Sequence, residues 1–284
     1  CELPTAIQFC PRLTLLNLKD NNIGAEGAHQ LPAVLQHVPT LTCLDLRGNE
    51  IGMEGASELK SALAHVPQLS ELELGHNRLW IEGVRQVGFG LSRVPNLKHL
   101  GMEENMLSAL GTRQLVDALR HVPRLASLDL ARNSLWAEGM KEVPALLENV
   151  PRLTDFSLGN NNLFAKNVWH LSFALLHVPG LTNLDLRHNC LWADGVRQLA
   201  GALQHVPALT SLNLRDNDLR ESGMRQLPMA LRRVSGLISL DLSENYLGAE
   251  GVQFLPASLQ QLPRLTELNL RRNDLKTEGA RYLR

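Results

Sequence analysis

Residues 181–206, LTNLDLRHNCLWADGVRQLAGALQHV, carry two hydrophobic periods in succession. Leu184 and Leu186 alternate with Asn183, Asp185 and Arg187, the pattern of a short strand with one buried face. Val196, Leu199, Ala202, Leu203 and Val206 then fall at i, i+3, i+6, i+7 and i+10, an apolar helix stripe that ends at Pro207. The same unit recurs in both directions every 28 residues as LxxLxLxxNxLxxxGxxxLxxaLxxVPx, without insertion or deletion. Nine full copies fill residues 13–264, a tenth is cut short over 265–284, and residues 1–12 match the end of a copy. Residues 1–284 are therefore expected to form a single array whose core repeats one side chain, consistent with 59 leucines against 12 aromatic residues.

With Leu13 as position 1, position 9 is Asn in every copy, from Asn21 to Asn273. Position 15 is Gly in every copy but one, where Asn167 stands. Asn is the side chain that best tolerates a left-handed backbone, so this exchange predicts left-handed dihedrals at position 15. Position 14 is mostly acidic (Glu26, Glu54, Glu82, Glu138, Asp194, Glu250, Glu278), as suits a helix start. Pro32, Pro144, Pro228 and Pro256 fit only a helix's first turn, which leaves the helix boundaries of those copies open.

A strand, a turn and a helix cannot bury both apolar faces alone, so the copies must stack. Strands pair at about 4.8 Å while packed helices need roughly 8–10 Å, so stacking predicts curvature. The expected fold is a right-handed α/β solenoid, a curved horseshoe with a parallel sheet on its concave face and helices on its convex face. The Asn just past each strand is predicted to satisfy turn backbone in its own and the adjacent copy as a buried ladder.

This pattern resembles the ribonuclease-inhibitor-like class of leucine-rich repeats, over essentially the whole chain. The resemblance implies a scaffold that binds proteins without catalysis, as in the sensor arrays of intracellular immune receptors. A GTPase activator similar to the Ran-type proteins, and a structural or engineered scaffold without a ligand, are the alternatives. Four cysteines and a constant period depart from the Cys-rich ribonuclease inhibitors, and Leu275 to Arg284 lacks the acidic tail of Ran activators.

A net charge of −1 argues against a general nucleic-acid or membrane-surface binder, both of which need clustered positive charge. No apolar run approaches a transmembrane helix and no signal-peptide pattern opens the chain. Cys1 and Cys10 lie about 13 Å apart on one expected helix, too far for a disulfide, and Cys43 and Cys190 fall in distant copies. With no N-x-S/T sequon either, a reducing, cytoplasmic location is expected. Both ends lack a polar cap, which predicts a segment cut from a longer chain, monomeric in isolation.

Positions 3, 5 and 7 are expected on the concave face, with 8 and 10 at its rim. Together these five columns hold 16 acidic and 8 basic residues, leaving the rest of the chain basic. Asp-x-Arg strands such as Asp45 and Arg47 neutralise themselves. In copies 3 to 6, position 7 becomes Gly75, Glu103, Ala131 and Gly159, and Glu71, Glu73, His99, Glu103, Glu104, Asp129 and Asp155 surround the gap, with Arg78 and Arg132 at its edge. A shallow acidic depression there would suit a basic or amphipathic partner segment. Position 12 carries Trp80, Trp136, Phe164 and Trp192, either an added layer of core or, where exposed, an anchor row of the kind that dominates binding energy.

The position-25 histidines (His37, His65, His121, His177, His205) stand too far apart to share a metal ion and suit helix C-termini instead. No nucleophile–base pairing, phosphate loop or Cys cluster appears, so neither an enzyme nor a cofactor is expected.

Overall fold

Each copy spends positions 3–5 on a three-residue strand whose central apolar residue faces inward. The computed structural model describes residues 6–283, so Cys1 and the expectation attached to it lie outside the described residues. Two compact units divide the chain: Cys1–Ser134 with Asn149–Leu153, and Leu135–Glu148 with Thr154–Arg284.

The first unit contains β1 (Leu15–Asn17), β2 (Cys43–Asp45), β3 (Glu71–Glu73), β4 (His99–Gly101) and β5 (Ser127–Asp129). They pair in parallel in chain order, each residue opposite its equivalent in the next copy, as in Leu16 with Leu44 and Leu72 with Leu100. The second contains β6 (Asp155–Ser157), β7 (Asn183–Asp185), β8 (Ser211–Asn213), β9 (Ser239–Asp241) and β10 (Glu267–Asn269), paired by the same rule. Helices return the chain from strand to strand, so both units are α/β repeat arrays built on one register.

Copies 3, 4, 7 and 8 have one continuous helix each: Trp80–Leu91, Ser108–Leu119, Trp192–Leu203 and Arg220–Leu231. Copies 1, 2, 5 and 9 divide it, as in Gly24–Ala28 followed by Leu31–Leu35. Pro32 and Pro256 stand in the first turn of the second segment, where no N–H is needed. Pro228 lies inside a continuous helix, and copy 2 divides with no proline at all, so proline alone does not set the break.

Position 15 corrects the sequence reading. Its glycines are not at positive φ; a Cβ on Gly55 would lie 2.8 Å from both Ala28 Cβ and Ile51 Cγ2, and 3.1 Å from Ala25 Cα. The glycine is there because helical segments of adjacent copies touch backbone to backbone. Where Asn167 replaces it, the chain forms a short 3₁₀ turn, Ala165–Asn167, and the Asn167 amide donates to Leu163 O at 2.6 Å.

Left-handed backbone occurs instead at positions 8, 10 and 12 of the loop after each strand, as in His76, Arg78 and Trp80. The alternation turns successive N–H groups toward the next copy: His76 N donates to Glu103 O at 2.8 Å and Trp80 N to Asn105 O at 3.0 Å. Asn77, fully buried, donates to Leu46 O, Leu74 O and Gly75 O, while its Oδ1 accepts from Asn49 N and Ile51 N. Inside this hydrogen-bonded shell the repeated leucines of copies 2 to 8 lie essentially without solvent exposure, each contributing roughly 1.5–3 kcal/mol, while those of the first and last copies are partly exposed.

Candidate protein-interaction site

The strand register carries the outward side chains of β3, β4 and β5 into one acidic surface on the first unit. Glu71 stands opposite His99, Glu73 opposite Gly101, and Gly101 opposite Asp129. His99 Nε2 and Glu73 Oε1 are 2.8 Å apart, and Arg47 Nη1 lies 3.8 Å from the same oxygen while its Nη2 binds Asp45 at 2.6 Å. A Cβ on Gly101 would collide with the Glu73 carboxylate, and one on Gly75 with that of Glu103. These glycines leave no hollow. Their space is filled by two carboxylates laid flat on the sheet, so the expected depression is a paved surface.

Glu103 Oε2 is buried without a hydrogen-bond partner. Burial pushes the Glu103 carboxyl above its usual range, and Asp129 and Glu73 push further the same way against Arg47. The hydrogen bond to Glu73 raises His99, outweighing its burial, with Glu71 and Asp129 adding to the rise. On the neighbouring strand the Cys43 thiol is pushed up to about 11 by burial, by its hydrogen bond with Glu71 and by nearby carboxylates.

Glu104 belongs to a different set. It lies on the loop, 3.1 Å from Arg132 and 3.4 Å from His76, while Arg78 pairs with Glu50 at 2.9 Å. Asp155, on the second unit, accepts hydrogen bonds from Thr154 Oγ1 and Asn183 Nδ2.

Position 12 is occupied by bulky aromatics at φ between 49° and 57°. Left-handed backbone costs a non-glycine residue about 1–2 kcal/mol, and copies 1, 2 and 9 avoid it with Gly24, Gly52 and Gly248. Phe164, at φ 53° and ψ 152°, occupies a region essentially reserved for glycine. Trp80, Trp136 and Trp192 are 52, 49 and 42% exposed. In the second unit Trp136, Phe164 and Trp192 follow one another with centroids 6.0 and 5.9 Å apart, and Trp192 Nε1 donates to Asp218 at 3.0 Å. Trp80 stands on the first unit beside an apolar groove.

Two exposed features escaped the sequence reading. Trp169 and Phe173 meet edge to face on the helix Trp169–Leu175, with Trp169 stacked on His170, whose pKa burial and Lys141 hold down. Met53 and Ile81 are large at position 13, where six other copies have Ala, and that departure was readable from the columns. Among the described residues no group of His, Cys, Asp and Glu is arranged to hold a metal ion, and no helix is long and apolar enough to cross a membrane.

A leucine-rich-repeat family profile matches residues 9–29, 37–60, 207–227 and 261–283. Compared by sequence with curated proteins, the chain matches none. Among solved structures it is similar to the leucine-rich repeat-containing protein LegL7 from Legionella pneumophila, with 22% identity and a TM-score of 0.68 over 100% of this chain and 93% of that one. It is also similar to TLR13 in its complex with ssRNA13, with 18% identity and a TM-score of 0.56 over 94% of this chain and 37% of that one. The four profile matches and these structures give the chain the α/β fold of leucine-rich-repeat proteins.

Proposed function

We propose that the chain is a non-catalytic protein-interaction module that receives a basic or amphipathic segment of a protein partner. The acidic surface of β3 to β5 takes the charge, and the exposed position-12 aromatics supply apolar anchors. The observation that carries this reading is the Glu73 and Glu103 pair. Two glycines give up their side-chain space to seat these carboxylates side by side, and one Glu103 oxygen is left without a donor. The surface these two carboxylates form with Glu71 and Asp129 favours an incoming Lys or Arg, since charge-assisted hydrogen bonds are the strong ones. Retention of large aromatics at a backbone position that favours glycine supports the second half, because aromatic side chains dominate interface energetics.

The test is capture of partners from lysate by the wild type and by Glu73→Lys/Glu103→Lys, at low and moderate salt. The wild type is expected to hold proteins that the charge-reversed variant loses. Recovery of the same set by both would refute the acidic surface as the site.

A further inference from the structure

The first unit has an open groove of about 640 Å³ at the loop-to-helix junctions of copies 1 to 3, whose apolar lining is Ala25, Ile51, Gly52, Met53, Trp80 and Ile81. We propose that this groove receives one large apolar side chain of a protein partner, from a segment in which the neighbouring residues are lysine or arginine. The proposal rests on the reading above for the charge of the partner and names the anchor position.

A step in the repeat makes the groove. Position 12 changes from Gly52 to Trp80 between adjacent copies, and a Cβ on Gly52 would meet nothing within 4 Å. The indole therefore stands as a wall beside bare backbone. Position 13 departs from alanine to a large aliphatic residue only at Met53 and Ile81, the two residues lining this same groove. Met53 and Trp80 are each about half exposed, so the apolar surface is left to water. The volume is in the range that encloses a compact ligand or side chain.

The rim gives the occupant its charge. Glu50, Glu54 and Glu82 line the opening together with Arg78. Glu50 is held by Arg78 and Glu82 by Arg85, whereas Glu54, and Glu26 one copy earlier, make no ion pair among the described residues. The rim thus keeps uncompensated negative charge beside an apolar lining, which complements an apolar anchor with a base about one helical turn away.

The probe is a dye-labelled amphipathic peptide of about 14 residues of Leu and Lys, compared with a Leu/Glu and a Ser/Lys peptide, read by fluorescence anisotropy on the full chain. Trp80→Gly gives position 12 the residue of copies 1 and 2 and relieves the backbone, so it preserves the fold. Met53→Ser is a second variant at an exposed position, and Tyr246→Ser on the second unit is the control. The expected result is binding of the Leu/Lys peptide, weakened about tenfold or more by Trp80→Gly, several-fold by Met53→Ser and Glu54→Lys, and not by the control.

The proposal is overturned by Trp80→Gly affinity within about twofold of wild type, by equal binding of the Leu/Glu peptide, or by no binding up to about 1 mM. It is equally overturned by self-association that Trp80→Gly abolishes, which would make a second copy the occupant. If Glu73→Lys/Glu103→Lys abolishes binding and Trp80→Gly does not, the acidic surface stands and the groove falls. The reverse pattern removes the acidic surface and keeps the groove.

Discussion

Asn77 Oδ1 accepts the backbone N–H of Asn49 at 3.1 Å, tying one copy to the one before it. The same side chain donates to three carbonyls, two in its own copy and one in the preceding copy. Asn77→Ala strands these groups in a site without water, so a loss of about 3–5 kcal/mol is expected. Asn21, the exposed first member of the ladder, still donates to Leu18 O at 2.8 Å, but water can replace it there. Asn21→Ala should cost under about 1 kcal/mol. Urea titration of the two variants checks the pair; equal costs would show that the ladder is not a buried load on the fold.

Gly52 and Gly55 are three residues apart and need glycine for opposite reasons. Gly52 is at φ 65° with open space around it, while Gly55 is helical with Ala28 and Ile51 in contact with any Cβ. Gly52→Ala is expected to cost about 1 kcal/mol of backbone strain. Gly55→Ala must force helical segments of adjacent copies apart and should cost about 1–3 kcal/mol. Thermal melts rank them, and a more damaging Gly52→Ala would reverse the packing account.

The repeat period alone placed every strand, because a leucine flanked by polar residues at fixed spacing leaves one register that keeps Leu72 and Leu100 inside. Asn77 was legible for the same reason: one polar residue repeated in every copy among apolar columns must satisfy backbone. Dihedrals were not legible. Positions 8 and 10 hold ordinary residues at positive φ: His76 and Glu104 donate their own N–H to the next copy, while Arg78 lies between Asn77 N and Leu79 N, which both donate to Asn105 Oδ1 there. The glycine at position 15 was misread because a dihedral demand and a contact demand select the same residue. At the site, the column charges located Glu73 and Glu103, but not that both carboxylates lie over glycines. That depends on side-chain direction, which spacing does not encode. Trp169 was missed because it lies on the helical side, where each copy was read as packed stripe.

Raised values at His99 and Glu103 set the sign of the pH dependence. Both groups hold their protons to higher pH in the folded chain than their ordinary values allow. Their contribution to stability is therefore complete below the unfolded values and falls as pH rises through the folded ones. Deprotonation makes the surface more negative in both cases. Affinity for a lysine-rich peptide is accordingly expected to rise several-fold between about pH 5 and pH 8, while the melting temperature drifts down. The facing groups are Glu73, Glu71 and Asp129 at His99, and Asp129, Glu73 and Arg47 at Glu103. Glu103→Gln should flatten the lower part of the affinity profile; an unchanged profile in that variant removes Glu103 as its source.

Cys43 offers a reporter inside the same surface. Burial, the Glu71 hydrogen bond and the charges of Glu71, Asp45 and Glu73 place its thiol at about 11, so near neutral pH almost none is thiolate. Cys10 is an exposed free thiol on the same unit. Alkylation by iodoacetamide near pH 8 is expected to be about tenfold or more slower at Cys43 than at Cys10, read site by site by mass spectrometry. Glu71→Gln keeps the side-chain shape and removes a charge, and should speed Cys43 several-fold without changing Cys10. If the Cys43 rate stays fixed in that variant, burial alone holds the thiol and the carboxylates of β3 do not set the local potential.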